Sequence, residues 1–230
     1  MKRIVLSRTD SIGDVLLTLP LAGIIKQKYP HTEIFFLGNI NVKPIVEASE
    51  HIDRFIDWKE IAKKTKKEQI QIFRAWHADA ILHVFPVPRI AKNAKKAGIP
   101  LRVGSAHRLY HLVTCNKPIP FTRRRSRLHE SQLNLNLLKP LGISYNYSTK
   151  DIKHYYGLKR IPEIKKEHRS LLANEQWNII LHPTTKGSAR EWGLENFSHL
   201  IDLLYNDNYQ IFISGNSRDK NLLSDFLKKH

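Results

Sequence analysis

The strongest constraint on this chain is a repeated alternation: a short apolar run, a polar turn, then a stretch with helical spacing. Residues 3–7 (RIVLS) read as a buried strand, 8–14 as a polar turn, and 15–29 as a helix that stops at Pro30. Residues 33–37 (EIFFL) form the next strand, closed by Gly38-Asn39. A short helix is expected over 43–49, a strand over 54–58 and a helix with a charged outer face over 61–77. Residues 78–85 (ADAILHVF) read as a strand ended by Pro86 and Pro88. Strands that alternate with helices are joined by crossovers and lie parallel, so the expected class is an α/β layered sheet.

The middle is less regular. A helix is expected over 89–97, a short strand over 101–103, and a helix over 129–141 ended by Gly142. The pattern degrades from 144 to 175, around Pro162, and a domain boundary is placed there, giving domains 1–160 and 161–230. Alternation then resumes with a strand at 177–181 (WNIIL), a loop at 182–190 and a helix at 194–206. A strand at 209–214 (YQIFIS), a turn at Gly215-Asn216 and a helix at 217–229 complete the pattern. A unit of about 55 residues rarely buries enough surface to stand alone, so it either docks on the first sheet or belongs to a longer protein.

Composition narrows the function classes. Of 230 residues, 41% are hydrophobic and 26% charged, the profile of a globular protein. The 38 Lys and Arg outnumber the 21 Asp and Glu by 17, which predicts attraction to polyanions. The single cysteine, Cys115, excludes an intramolecular disulfide and any zinc site of several thiolates, and suits a reducing compartment. The apolar run Ile4-Val5-Leu6 is too short for a signal-peptide core. Thr18, Pro20 and Gly23 interrupt the stretch 15–25, which falls far below the ~20 residues that span a bilayer. The expected location is cytoplasmic, with peripheral membrane contact.

Two turns carry residue types suited to chemistry. The first, residues 8–14 (RTDSIGD), follows a strand at the sheet edge where α/β folds bind ligands. Gly13 permits close backbone approach, and the two carboxylates suit a general base beside a hydroxyl better than a phosphate cradle. The competing expectation is that Asp10 or Asp14 merely caps the helix. The second, residues 182–192 (HPTTKGSAREW), offers hydroxyls, backbone amides and cations, the groups that hold a diphosphate; otherwise it is an ordinary solvated loop. A third feature is the tract from Arg89 to His129, with eleven Lys or Arg and no acid, expected to face an anion. It lacks nucleic-acid signatures. His107 and His111 are expected at the surface rather than on a metal, and Cys115 is expected as a small packed thiol, its pKa open to depression by the surrounding cations. No G-x-S-x-G elbow is present.

Residues 4–20 (IVLSRTDSIGDVLLTLP) resemble the opening of glycosyltransferase family 9, the ADP-heptose:lipopolysaccharide heptosyltransferases. Arg102-Val103-Gly104, residues 129–143 (HESQLNLNLLKPLGI) and above all 181–197 (LHPTTKGSAREWGLENF) carry the same resemblance, as does Ser214-Gly215-Asn216 with Asp219. It implies a GT-B architecture: two Rossmann-like parallel-sheet domains facing across a cleft, an N-terminal acceptor domain and an incomplete C-terminal nucleotide-sugar domain. It further implies inverting, metal-independent and cofactor-free transfer of a heptose or related sugar from an ADP-sugar to the inner core of lipopolysaccharide. Asp14 matches the general base. Thr184, Thr185 and Arg190 match the diphosphate positions, with Lys186 beside them in the loop, and Asp219 matches the adenosine-contacting acid. Asp10, Ser11, Arg123, Arg124 and Arg125 are the expected acceptor contacts, with the basic tract against the inner face of the inner membrane and no nucleic-acid partner.

Two small departures are Arg190 where the family usually has Lys, and Gly193 where Pro is usual. A larger one is that the family continues with an Asp-Thr/Ser-Gly segment and a His that nothing here matches. The resemblance therefore leaves a second expectation, an inactive truncated homologue that binds anionic glycolipid or a partner enzyme.

Overall fold

The structure is a computed structural model that describes all residues except 123–125, 145, 186, 188, 206 and 207. The chain divides into two compact units, Met1–Pro162 and Glu163–His230.

The first unit is built on six parallel strands: β1 (Arg3–Ser7), β2 (Glu33–Gly38), β3 (Arg54–Asp57), β4 (Ala80–His83), β5 (Leu101–Ser105) and β6 (Lys117–Ile119). Their order across the sheet is β3-β2-β1-β4-β5-β6. Chain order thus reverses direction between β1 and β4, where Ile4 pairs with Ala80 and Ser7 with His83. Divergent connections leave a crevice outside the carboxyl ends of these two strands.

Both faces of the sheet are covered, so its strands read as continuous apolar runs. Ile4, Leu6 and Phe36 point to one layer with Leu21, Ile24 and Leu138; Val5, Leu37 and Ile81 point to the other with Phe73, Ile90 and Ala94. Each such side chain, wholly removed from water, contributes roughly 2 kcal/mol. The helices are α1 (Ile12–Leu16), α2 (Leu19–Lys28), α3 (Lys43–Glu47), α4 (Trp58–Ala62), α5 (Lys66–Ala75), α6 (Pro88–Ala97), α7 (Leu109–Thr114), α8 (Glu130–Leu135) and α9 (Thr149–Ile152).

Several elements of the first unit differ from expectation. The helix expected over 61–77 is α4 and α5, separated at residues 63–65, because Thr65 caps α5 with Glu68. The helix expected over 15–29 is broken at Leu17-Thr18, because Pro20 lacks an N–H and its ring excludes the carbonyl four residues back; it sits in the first turn of α2 instead. The helix expected over 129–141 is α8 followed by a 3₁₀ turn, Asn136–Leu141, that contains Pro140 and ends at Gly142 (φ 70°). Strand β6 was not expected at all. Pro118 within it is compatible only with an edge, and β6 is the edge strand.

The second unit holds α10 (Lys166–Arg169), β7 (Trp177–Leu181), α11 (Leu194–Leu204), β8 (Tyr209–Ile213), α12 (Asp219–Leu222) and α13 (Ser224–Lys229). The helix expected over 217–229 is two short helices that meet at Leu223. Strands β7 and β8 are parallel, and the buried core is Leu181, Ile201, Leu223 and Phe226. Among the described residues no helix is long and apolar enough to cross a membrane.

Candidate functional site

The turn after β1 opens at the crevice and is organised by a residue that its sequence did not single out. Arg8 is 3% exposed, and its guanidinium meets three carboxylates. Nε donates to Asp10 Oδ1 at 2.8 Å and Nη2 to Asp10 Oδ2 at 3.0 Å. Nη2 also lies 2.9 Å from Asp14 Oδ1, and Nη1 3.1 Å from Glu130 Oε1 at the start of α8. Burial works against the guanidinium charge, but Asp10, Glu130 and Asp14 outweigh it and raise the Arg8 pKa above its ordinary value. Truncating Arg8 would leave three carboxylates crowded without a cation, so the arrangement depends on it.

Asp14 sits in the first turn of α1. Its Oδ2 accepts a hydrogen bond from Ser11 Oγ at 2.6 Å, while Ser11, not either aspartate, caps the helix by accepting from the Asp14 N–H. The Asp14 side chain is 40% exposed, against 19% for Asp10, whose two oxygens are both held by Arg8. Beside it, the hydrogen of Gly13 that a Cβ would replace faces open space, with no atom within 4 Å. The result is one fixed, accessible carboxylate with room for a ligand above the turn. Such a group can take a proton from a hydroxyl placed against it.

The loop after β7 is a second polar constellation. Thr184 is 3% exposed, and among the described residues its Oγ1 is buried without a hydrogen-bond partner. Thr185 Oγ1 donates to the Ala189 carbonyl at 3.2 Å and accepts from the Gly187 N–H at 3.1 Å, a turn that places Gly187 at φ 77°. The Thr185 N–H donates to Glu191 Oε1 at 2.6 Å. Arg190, Glu191, Trp192 and Asn196 line a surface cleft of about 440 Å³. His182 Nδ1 lies 3.0 Å from Ser214 Oγ and so ties the loop after β7 to the loop after β8. There, Asp219 Oδ2 accepts from the Asn216 N–H at 2.8 Å. Lys186, Arg123, Arg124 and Arg125 lie outside the described residues.

The basic tract is only partly a charged surface. The Arg89 Nε donates to Gln69 Oε1 at 2.9 Å, and the Arg102 Nε to the Thr114 carbonyl at 2.8 Å, so these two cations hold helices and turns together. His111 is fully buried rather than at the surface, with its ring 5.4 Å from that of buried His83. Cys115 is buried too, and burial pushes its thiol up to about 11. This is the packed thiol that the sequence favours, and desolvation outweighs the pull of Arg102 that would lower its pKa. Among the described residues no three His, Cys, Asp or Glu side chains are grouped to hold a metal.

No protein-family model matches the sequence. Two curated relatives do. A Haemophilus influenzae protein, named provisionally as a glycosyltransferase, is 25% identical over 208 residues, which is 87% of this chain and 60% of the relative. Lipopolysaccharide heptosyltransferase 3 of Escherichia coli is 24% identical over 214 residues, 88% of this chain and 60% of the relative. The solved family 9 glycosyltransferase of Veillonella parvula matches 99% of this chain and 66% of its own with a TM-score of 0.74 at 18% identity. The chain is thus similar in sequence to glycosyltransferases and in fold to a family 9 glycosyltransferase.

An E. coli heptosyltransferase solved with ADP-2-deoxy-2-fluoro heptose has the same fold, at a TM-score of 0.72 and 17% identity, over 98% of this chain and 73% of its own. The α/β class and the GT-B type of family 9 follow from these likenesses. The chain spans about 60% of the length of the curated relatives it matches. The Arg8 cluster lies at the turn after the first strand of the first unit and the Thr184-Thr185 loop at the turn after the first strand of the second unit.

Proposed function

We propose that this protein is a glycosyltransferase of the heptosyltransferase type. It moves a heptose or related sugar from an ADP-sugar to the phosphorylated inner core of lipopolysaccharide. The observation that carries this reading is Asp14: an accessible carboxylate, fixed by Arg8 and Ser11, at the switch point of a doubly wound sheet. The names of the relatives support the sugar chemistry and the acceptor class.

In the proposed reaction Asp14 takes the proton of an acceptor hydroxyl as that oxygen attacks the anomeric carbon. The bond from that carbon to the diphosphate oxygen breaks on the opposite face, and its electron pair leaves with ADP. The configuration inverts, and no metal or other cofactor is needed. Thr184, Thr185, Lys186 and Arg190 receive the departing diphosphate, for which the unpartnered Thr184 hydroxyl is a ready donor, and Asp219 contacts the adenosine. Asp10, Ser11, Arg123, Arg124 and Arg125 position the acceptor. In this reading the first unit serves the acceptor and the second the donor. The protein works in the cytoplasm, peripherally on the anionic inner leaflet, and has no nucleic-acid partner.

One observation favours a second reading. Glu191 already occupies the Thr185 amide, and a carboxylate there opposes a diphosphate. In that case the chain binds anionic glycolipid or a partner enzyme without transfer. Incubation of the 230-residue chain with ADP-heptose and a heptose-free inner-core acceptor separates the two. Mass gain of the acceptor by one heptose supports transfer; no gain together with retained acceptor binding supports the second reading.

A further inference from the structure

We propose that α6 and α7 form the face by which this protein docks on an anionic lipid bilayer, with α7 inserting its outer side chains among the lipids. The inference deepens the peripheral-membrane part of the proposed function and rests on it. It commits that reading to particular residues.

Leu109, Leu112 and Val113 occupy positions i, i+3 and i+4 of α7 and are 84%, 53% and 65% exposed. His111 and Thr114 of the same helix are buried, so α7 turns its polar side inward and its aliphatic side to solvent. That is the reverse of a helix packed on its own core. Three adjacent aliphatic side chains on one exposed turn mark an interaction surface rather than scattered surface leucines.

The surroundings identify the partner. Arg108 precedes the helix and Lys117 follows it, both exposed. Lys95 of α6 donates from Nζ to the Val113 carbonyl at 2.7 Å, which brings the basic face of α6 against the aliphatic turn. Beyond Lys95, Lys66, Arg89, Lys92 and Lys96 line a cleft of about 390 Å³ that has no acidic residue in its wall. The acids of α4 and α5, Glu60 and Glu68, are bound by Lys63 and Thr65. Aliphatic side chains ringed by cations suit a bilayer of anionic lipids, where the chains enter the acyl boundary and the cations meet the headgroups. A nucleic acid would use the cations but leave the aliphatic turn in water, and the one aromatic ring of α7, Tyr110, packs edge-on to His111 instead of standing free to stack.

Co-flotation of the 230-residue chain with vesicles tests this. With phosphatidylcholine mixed with phosphatidylglycerol the chain floats, and with phosphatidylcholine alone it does not. Leu109→Asp/Val113→Asp lowers partition about tenfold or more, and Lys92→Gln/Lys96→Gln/Arg108→Gln about a hundredfold at low salt, since each cation near such a surface is worth roughly fivefold. Lys228→Gln/Lys229→Gln, at two lysines outside the face, leaves partition within about twofold, the screened effect of charges that do not meet the headgroups. Unchanged flotation of both face variants, or an equal loss in the control, overturns the proposal. So does wild-type self-association that Leu109→Asp/Val113→Asp abolishes without any vesicle binding, which would make the turn a contact between copies of this chain. Binding of ADP-heptose, measured by calorimetry, is independent of the face. Its loss in the wild type with flotation intact would remove the sugar-transfer reading and leave the docking face standing.

Discussion

Strands β1 and β7 begin from similar material, RIVLS and WNIIL, and end in different surroundings. In β1, Ile4, Val5 and Leu6 are all 0% exposed, whereas Ile180 in β7 is 70% exposed and Trp177 75%. The first strand has a neighbour on each side and helices over both faces. The second pairs with β8 alone among the described residues, and its inward side chains Ile179 and Leu181 meet Ile201 and Phe226 on one face. An apolar run therefore decides that a strand forms, while the layers that reach it decide what the strand contributes to stability. The Arg8 turn stands on the heavily buried sheet and the Thr184-Thr185 turn on the lightly buried one.

Substitutions measure that difference. Phe73→Ala, at a fully buried site between Trp58 and Trp76, is expected to cost about 3–5 kcal/mol in denaturant unfolding of the first unit. Phe226→Ala in the small core should leave that transition in place while it lowers or abolishes the protection of β7 and β8 amides in hydrogen exchange. Comparable loss in the first unit's transition from Phe226→Ala would erase the contrast.

A smaller effect is tied to pH. Burial, His111 and Arg102 lower the His83 pKa from 6.5 to about 3, so the folded protein holds this imidazole neutral. Below pH 6.5 the unfolded chain takes up a proton that the folded chain refuses. The stabilisation is therefore complete above about pH 6.5 and declines progressively toward pH 3. Between pH 6.5 and 5 the loss from this residue is about 2 kcal/mol, and it should appear in the transition of the first unit. A pH-independent midpoint over that interval would contradict the buried neutral state.

The smallest effect is expected on the open face of β7. Ile180→Thr should change unfolding by about 0.5 kcal/mol or less, because most of that side chain is already in water. A cost of several kcal/mol would mean that Ile180 is covered.

Much of the framework was legible in the sequence because buried parallel strands read as continuous apolar runs, and the α/β class followed from their alternation with helical segments. What escaped had identifiable causes. Strand β6 was masked by Pro118, which normally argues against a strand and is tolerated only at the sheet edge. The break between α1 and α2 was hidden because apolar residues continue through Leu16-Leu17 without interruption. The role of Arg8 depends on Glu130, 122 residues away, and no local pattern links them. His111 escaped because Leu109, Leu112 and Val113 at helical spacing predict that their side of α7 is the buried one, whereas the structure buries the opposite, polar side.

The proposed transfer divides its labour between a base on the first unit and a diphosphate cradle on the second. The most direct test is steady-state transfer and ADP-heptose affinity measured together in Asp14→Asn. The account predicts a fall in kcat of about 10²–10⁴ with the donor Kd unchanged. Wild-type turnover in that variant, or a parallel loss of donor affinity, would contradict it.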